Sequence, residues 1–124
     1  MVIFSLRILL ANLSEDINLA VSTYLQSLGW RCTPTTSGSQ ALLALRNQRF
    51  DAFVTDLILE NTSSLPAIEY CRAQGIGVVV FTALDQEFVW QQCGPVMVLP
   101  KPAGFPAISA AVIKVCRKGA GRRG

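Results

Sequence analysis

The chain has 124 residues, of which 51% are hydrophobic and 15% are charged, so it is long enough for one domain with a single core and too apolar for a disordered chain. It contains no apolar run of the roughly 20 residues that a membrane span requires, and Arg7 interrupts the apolar N-terminus, so a signal peptide is not expected. The absence of histidine excludes Ser-His-Asp and Cys-His catalysis and a phosphohistidine carrier. These features predict a cytoplasmic single-domain protein.

Charge is distributed unevenly. All eight acidic residues lie at or before Glu87, and no acidic residue follows it. Residues 117–124 are strongly basic and are expected to form a solvated, flexible tail beyond a domain that spans residues 1–116. For the domain itself we expect neither a nucleic acid nor a membrane as partner. The four cysteines include no CxxC pair, which favours buried, reduced thiols over a zinc site or a disulfide framework.

Strand and helix patterns alternate along the first half of the chain. The apolar run 6–11 predicts a first strand. Ser14 and the acidic residues after it predict the start of a helix that ends at Gly29, with an apolar face of Ile17, Ala20, Val21, Tyr24, Leu25 and Leu28. Residues 30–35 predict a second strand, which Pro34 places at a sheet edge. A second helix opens at residues 36–39, with an inner face of Ala41, Leu42 and Leu45.

The alternation continues to the end of the chain. Further strands are expected at 50–56, 77–83 and 96–100, and further helices at about 66–74 and 85–92. The last helix has an apolar face of Ile108, Ala111, Val112 and Val115. Five strands alternating with five helices predict an α/β fold with a doubly wound parallel sheet.

Polar side chains follow several of the predicted strands. Asp56 interrupts an apolar run at the end of the third strand, and a carboxylate in such a setting is costly unless it is paired or used. Asn12 and Leu13 follow the first strand, Thr82 lies at the end of the fourth, and Lys101 follows the fifth. Because sites in parallel sheets form at the carboxyl ends of strands, we expect these positions to meet at one edge.

The chain resembles the receiver domain of two-component response regulators over residues 7 to about 115. The resemblance rests on FDAFVTDLIL around Asp56, VVVFTA with Thr82 and VLPKP with Lys101 and Pro102, which occur in the family's order and approximate spacing. It implies a flavodoxin-like sheet of order 2-1-3-4-5, with Asp56 as phosphoacceptor and with Thr82 and Lys101 contacting phosphate and acting in the switch. It also implies a cis peptide bond before Pro102.

The resemblance further implies a role in phosphorelay signal transduction. The domain would be regulatory and not an enzyme, beyond self-phosphorylation of Asp56 from a phosphodonor. Its partner would be a sensor histidine kinase or a phosphotransfer protein. A homodimer is also compatible with the family pattern.

Three positions depart from the family pattern. Where the family ends its first strand in two acidic metal ligands, this chain has Asn12 and Leu13. The ligands left for Mg²⁺ are Asp56, the backbone carbonyl of Ile58 and water, so weak binding at most is expected. Val98 stands where the family has an aromatic switch residue. These departures predict weak or phosphorylation-independent switching.

Two alternative functions stay open. In a pseudo-receiver, an interaction module without phosphorylation, Asp56 and Lys101 would form a fixed ion pair. A protein partner would then bind the face formed by Asp85–Pro100 and the last helix, where Phe88 and Trp90 are expected to belong to the core. The remote alternative is a flavodoxin-like cofactor-binding protein, suggested by the Ser/Thr/Gly-rich residues 33–39. A flavodoxin phosphate loop, however, follows the first strand and not the second.

Overall fold

The computed structural model describes residues 5–123, with side chains described for residues 5–116. Strands and helices alternate throughout, as the sequence predicts. The strands are β1 (Arg7–Ala11), β2 (Arg31–Thr35), β3 (Ala52–Thr55), β4 (Gly77–Thr82) and β5 (Met97–Pro100). The helices are α1 (Glu15–Ser27), α2 (Gly38–Asn47), α3 (Leu65–Gln74), α4 (Gln86–Cys93) and α5 (Phe105–Arg123).

The five strands form one parallel sheet in the order β2-β1-β3-β4-β5, which confirms the predicted fold class and strand order. Pro34 lies in β2, at an edge of the sheet, where its missing N–H breaks no ladder. The register pairs Ala11 with Thr55 and Thr82 with Pro100. The carboxyl ends of the strands therefore lie along one edge of the sheet.

Helices cover both faces of the sheet, so the central strands are buried on both sides. Every residue of β3 and all of β4 after Gly77 are buried, which accounts for their continuous apolar character. One core cluster joins side chains of the sheet to α2, α3 and α4. The other joins the opposite face to α1 and α5, and it contains all four predicted inner residues of the last helix.

The predicted helix starts are confirmed by side-chain caps. The Ser14 hydroxyl accepts a hydrogen bond from the Ile17 N–H, and Ser37 accepts one from Gln40. The predicted inner face of α1 is partly wrong, because Ala20 and Leu28 are exposed. The fully buried stripe instead consists of Asn18, Val21, Ser22 and Leu25. The buried face of α1 therefore includes two polar residues, Asn18 and Ser22, and is not purely apolar.

The expectation for α4 is also partly wrong. The helix is short, as predicted, but Phe88 and Trp90 are 44% and 43% exposed and do not belong to the core. Val89 and Cys93 are the buried residues of this helix. The Trp90 indole N–H donates to the Val96 carbonyl at 3.0 Å, which fixes the ring beside β5. Aromatic rings therefore remain on the surface between α4 and β5.

The last helix extends into the basic end of the chain. Helix α5 extends through Arg123, so it takes in most of residues 117–124, and Gly124 lies outside the described residues. The flexibility of this segment and the boundary after residue 116 stay predictions. No helix among the described residues is both long and apolar enough to cross a membrane.

Among the described residues, no two cysteines form a disulfide. Cys71 and Cys93 are buried, whereas Cys32 and Cys116 are partly buried. Burial raises the pKa of Cys32 to about 11 and that of Cys71 to about 12, because a thiolate is poorly solvated inside the core. The expected burial thus holds for Cys71 and Cys93 and only in part for Cys32 and Cys116.

Candidate functional site

The carboxyl ends of neighbouring strands are held together by backbone hydrogen bonds. The Asp56 N–H donates to the Ala11 carbonyl at 3.1 Å, which ties the end of β3 to the end of β1. The Lys101 N–H donates to the Thr82 carbonyl at 2.9 Å, which ties the end of β5 to that of β4. These bonds set Asp56 and Lys101 at the same edge of the sheet.

Asp56 and Lys101 contact each other directly. The Lys101 ammonium nitrogen lies 3.0 Å from Asp56 Oδ2, and the two side chains are 19% and 17% exposed, respectively. The other carboxylate oxygen, Oδ1, accepts the Leu57 N–H at 2.8 Å. The ammonium also lies over the Phe81 ring, 5.3 Å from its centre. Both carboxylate oxygens therefore have a donor, and the lysine is held from two sides.

Residues on β4 and β5 complete this edge. Thr82 is 1% exposed, and its hydroxyl oxygen accepts the Leu84 N–H at 3.1 Å. The peptide bond between Lys101 and Pro102 is cis. Val98 lies opposite Val80 in the ladder and packs against the core cluster under α3 and α4. A small side chain thus lies within the sheet at the position where the resemblance led us to expect an aromatic switch residue.

The loop after β1 offers little to a divalent cation. The Asn12 side chain is 3% exposed, and its oxygen accepts the Ser14 N–H at 3.1 Å. Leu13 is 47% exposed and has no ligand atom in its side chain. Among the described residues, no group of three or more His, Cys, Asp or Glu side chains could hold a metal ion.

Mg²⁺ prefers several oxygen ligands in octahedral geometry, usually with one or two carboxylates. The carboxylate of Asp56 already contacts the Lys101 ammonium group. The Ile58 side chain, two residues further on, is 57% exposed, and only the backbone carbonyl of this residue is a candidate ligand. The residues present do not fit the magnesium site that the fold would imply.

Asn18 is a site-supporting residue that the sequence reasoning missed. Its amide nitrogen donates to the carbonyls of Asn12 and Thr35 at 3.1 and 3.0 Å, joining α1 to the ends of β1 and β2. The side chain is 4% exposed. A signal was available, since an Asn at a buried helical position requires hydrogen-bond partners.

A hydrogen-bonded junction between the loops after β2 and β3 was also missed. The Asn61 amide donates to the Ser37 hydroxyl at 2.9 Å, and the Thr36 hydroxyl donates to Glu60 Oε1 at 2.9 Å. Ser37 and Glu60 form an isolated parallel bridge. We call this set, residues 36–38 with 60–63, the loop junction. It fixes the segment that begins four residues after Asp56.

Comparison with known proteins supports the receiver-like reading. No family model matches the chain. A probable transcriptional regulatory protein, TcrX of Mycobacterium tuberculosis, is 37% identical over 67 residues, which cover 52% of this chain and 29% of that protein. The matched segment therefore covers less than a third of this relative's length.

Solved structures match over nearly the whole chain. The receiver domain of a sensor histidine kinase from Pseudomonas aeruginosa PAO1, which has a magnesium ion coordinated in its active-site cleft, is 24% identical with a TM-score of 0.79, over 91% of this chain and 98% of that one. The signal receiver domain of an HD domain-containing protein from Pseudomonas fluorescens Pf-5 is 17% identical with a TM-score of 0.85, over 99% and 95% of the two chains. This chain has the receiver-domain fold.

Proposed function

We propose that this chain is a response-regulator receiver domain that acts in cytoplasmic phosphorelay signalling, with Asp56 as its phosphoacceptor. The observation that carries the proposal is the 3.0 Å contact between the Lys101 ammonium and Asp56 Oδ2, at the carboxyl edge of a receiver-type sheet and beside Thr82. A nucleophilic carboxylate needs an adjacent cation to offset the charge of an incoming phosphoryl group. Lys101 is placed to supply that charge.

The chemistry is a single displacement at phosphorus. A carboxylate oxygen of Asp56 attacks the phosphorus of the donor, the bond to the donor's leaving group breaks, and an aspartyl phosphate forms. The Lys101 ammonium moves from Oδ2 to an oxygen of the bound phosphoryl group. The Thr82 hydroxyl, whose oxygen accepts the Leu84 N–H, turns its proton towards the same group.

Departures from the family pattern after β1 and in β5 make this a weakly switching receiver. Asn12 and Leu13 do not fit a magnesium site, and Val98 cannot act as an aromatic switch. The role is regulatory and not enzymatic, with a sensor histidine kinase or a phosphotransfer protein as the donor. The receiver-domain fold and the similarity to a transcriptional regulatory protein support this assignment.

A second candidate function is a pseudo-receiver whose output needs no phosphate. The Asp56–Lys101 pair favours it, because a carboxylate that is already neutralised does not require a further ligand. In this case the unmodified surface would bind a protein partner or a second copy of the chain. The exposed rings of Phe88 and Trp90, within the Asp85–Pro100 face, are the features that such a partner would bury.

Intact-protein mass spectrometry after incubation with acetyl phosphate distinguishes the receiver from the pseudo-receiver. The receiver assignment predicts a phosphoryl adduct that is absent from Asp56→Asn. Asp85→Asn is a matched control, because Asp85 is exposed and lies near the same edge after β4. An adduct in all three proteins, or an adduct in none even with a panel of phosphotransfer proteins as donors, would refute the assignment.

A further inference from the structure

A second cleft lies away from Asp56. It has a volume of about 420 Å³ and opens between the amino ends of β4 and β5, the end of α3, and helices α4 and α5. Its apolar wall is formed by Ile76, Val96, Val98 and the ring of Trp90. Clefts that bind small ligands have volumes of this order, and their linings are mainly apolar with a few polar groups.

The charged groups of this cleft are both cations. Arg72 enters from α3 and Lys114 from α5. Among the described side chains, no acidic residue lines the cleft and neither cation takes part in an ion pair. The sequence accounts for this excess of positive charge, since no acidic residue follows Glu87 and both β5 and α5 lie beyond it.

The polar and aromatic groups are fixed before any ligand binds. The Arg72 guanidinium donates to the Pro95 carbonyl at 3.1 Å and lies close to Gly94, where a Cβ atom would be 3.3 Å from its nitrogens. The Trp90 indole N–H donates to the Val96 carbonyl. A guanidinium and an indole that are already held in place lose little freedom on binding.

We propose that this cleft binds a small organic anion with a flat hydrophobic body. The anionic group would lie between Arg72 and Lys114, and the body would pack against Trp90 and the apolar wall. The cationic lining argues against a neutral ligand, and the limited volume argues for a small molecule and not for a peptide. The site is separate from Asp56 and does not depend on phosphorylation.

The test is a titration of the ¹⁵N-labelled full chain with 2-naphthoate, followed by NMR amide shifts. We expect saturable shifts that centre on Gly77, Val96 and the Trp90 indole. The neutral isostere 2-naphthamide should bind at least about threefold more weakly, because it lacks the charge that the two cations recognise. Equal affinity for the two probes, no saturable binding, or shifts centred on Asp56 would overturn the proposal.

A matched pair of variants tests whether binding depends on a positive charge inside the cleft. Lys114→Gln should weaken 2-naphthoate binding by about three- to fivefold, with little effect on folding because Lys114 is exposed on α5. Arg46→Gln removes the same charge from an exposed position on α2, outside the cleft, and should change the affinity by less than about twofold. Equal effects of the two substitutions would mean that only the overall charge of the protein matters, and the cleft would be rejected.

Discussion

Each oxygen of the Asp56 carboxylate accepts a hydrogen bond, and one of the two donors is a positively charged ammonium group. The Leu57 N–H contacts Oδ1 and the Lys101 ammonium contacts Oδ2. Because both side chains are less than a fifth exposed, the pair is screened less than a surface ion pair. The Lys101 ammonium thus offsets the negative charge of the Asp56 carboxylate.

A double-mutant cycle measures this pairing. We expect Lys101→Met to lower the free energy of unfolding by about 1 kcal/mol, because it leaves a partly buried carboxylate without its cation. In the Asp56→Asn background the same substitution should cost much less. Urea unfolding at neutral pH provides the measurement, and Lys114→Met, at an exposed lysine, provides the control. Equal costs in the two backgrounds would show that the contact contributes nothing.

The sequence was sufficient to predict some residues of this site and not others. Asp56, Thr82 and Lys101 were found because a parallel sheet forces the carboxyl ends of its strands to one edge. The orientation of Asn12 was not predictable from the sequence. Its oxygen could face a cation or cap the next backbone N–H, and only the folded loop shows that it contacts Ser14.

The loop junction holds the loop after β2 against the loop after β3. The Asn61 amide donates to the Ser37 hydroxyl, and the backbones of Glu60 and Ser37 form a parallel bridge. Gly38 makes this approach feasible, because a Cβ there would collide with the Thr62 carbonyl and lie 2.6 Å from the Ser63 carbonyl oxygen. Both obstacles are backbone atoms, which cannot move aside without disrupting the junction.

Gly38→Ala should therefore destabilise the protein by more than about 2 kcal/mol. Thermal unfolding monitored by circular dichroism tests this. Gly104→Ala is the comparison, because a Cβ at that position would come no closer than 3.8 Å to Pro106. Its cost should stay below about 1 kcal/mol, as expected for a substitution next to a helix start. If Gly38→Ala and Gly104→Ala lowered the stability by similar amounts, the close packing of Gly38 in the loop junction would be contradicted.

Element boundaries and exposure were harder to predict than element order. The ten elements of the described residues 5–123 were predicted from the sequence, because their hydrophobic patterns are local. Phe88 and Trp90 were misplaced in the core because a short helix with several apolar residues has no clear inner face. The loop junction was missed because its hydrogen bonds join residues over twenty positions apart, and only the strand order brings them together.

At the scale of the whole molecule, the buried thiol of Cys71 and the partly buried thiol of Cys32 link stability to alkaline pH. The pKa values of Cys32 and Cys71 are raised to about 11 and about 12, from an ordinary value of 9.0. A raised pKa in the folded state means that the folded protein holds its proton more tightly than the unfolded chain. This contribution is fully present below pH 9 and is lost as the pH rises towards the folded-state values.

We therefore expect stability to fall between about pH 9.5 and 11, and Cys71→Ala to reduce the slope by about 1.4 kcal/mol per pH unit. Urea unfolding across this range measures the slope. The variant loses some stability at neutral pH by leaving a small cavity, so the comparison concerns the slope alone. If stability fell with pH at the same slope in the wild-type chain and in Cys71→Ala, the raised pKa of Cys71 would be contradicted.

The most direct test of the account as a whole is the magnesium dependence of Asp56 phosphorylation by acetyl phosphate. The rate of adduct formation would be followed by intact mass, with and without millimolar Mg²⁺. Asn12→Asp/Leu13→Asp serves as a positive control, since it supplies the two carboxylates that a magnesium site needs. We predict a slow rate that Mg²⁺ changes by less than about twofold in the wild-type chain and raises in the variant. A large acceleration by Mg²⁺ in the wild-type chain would contradict the claim that the residues at this edge do not fit a magnesium site.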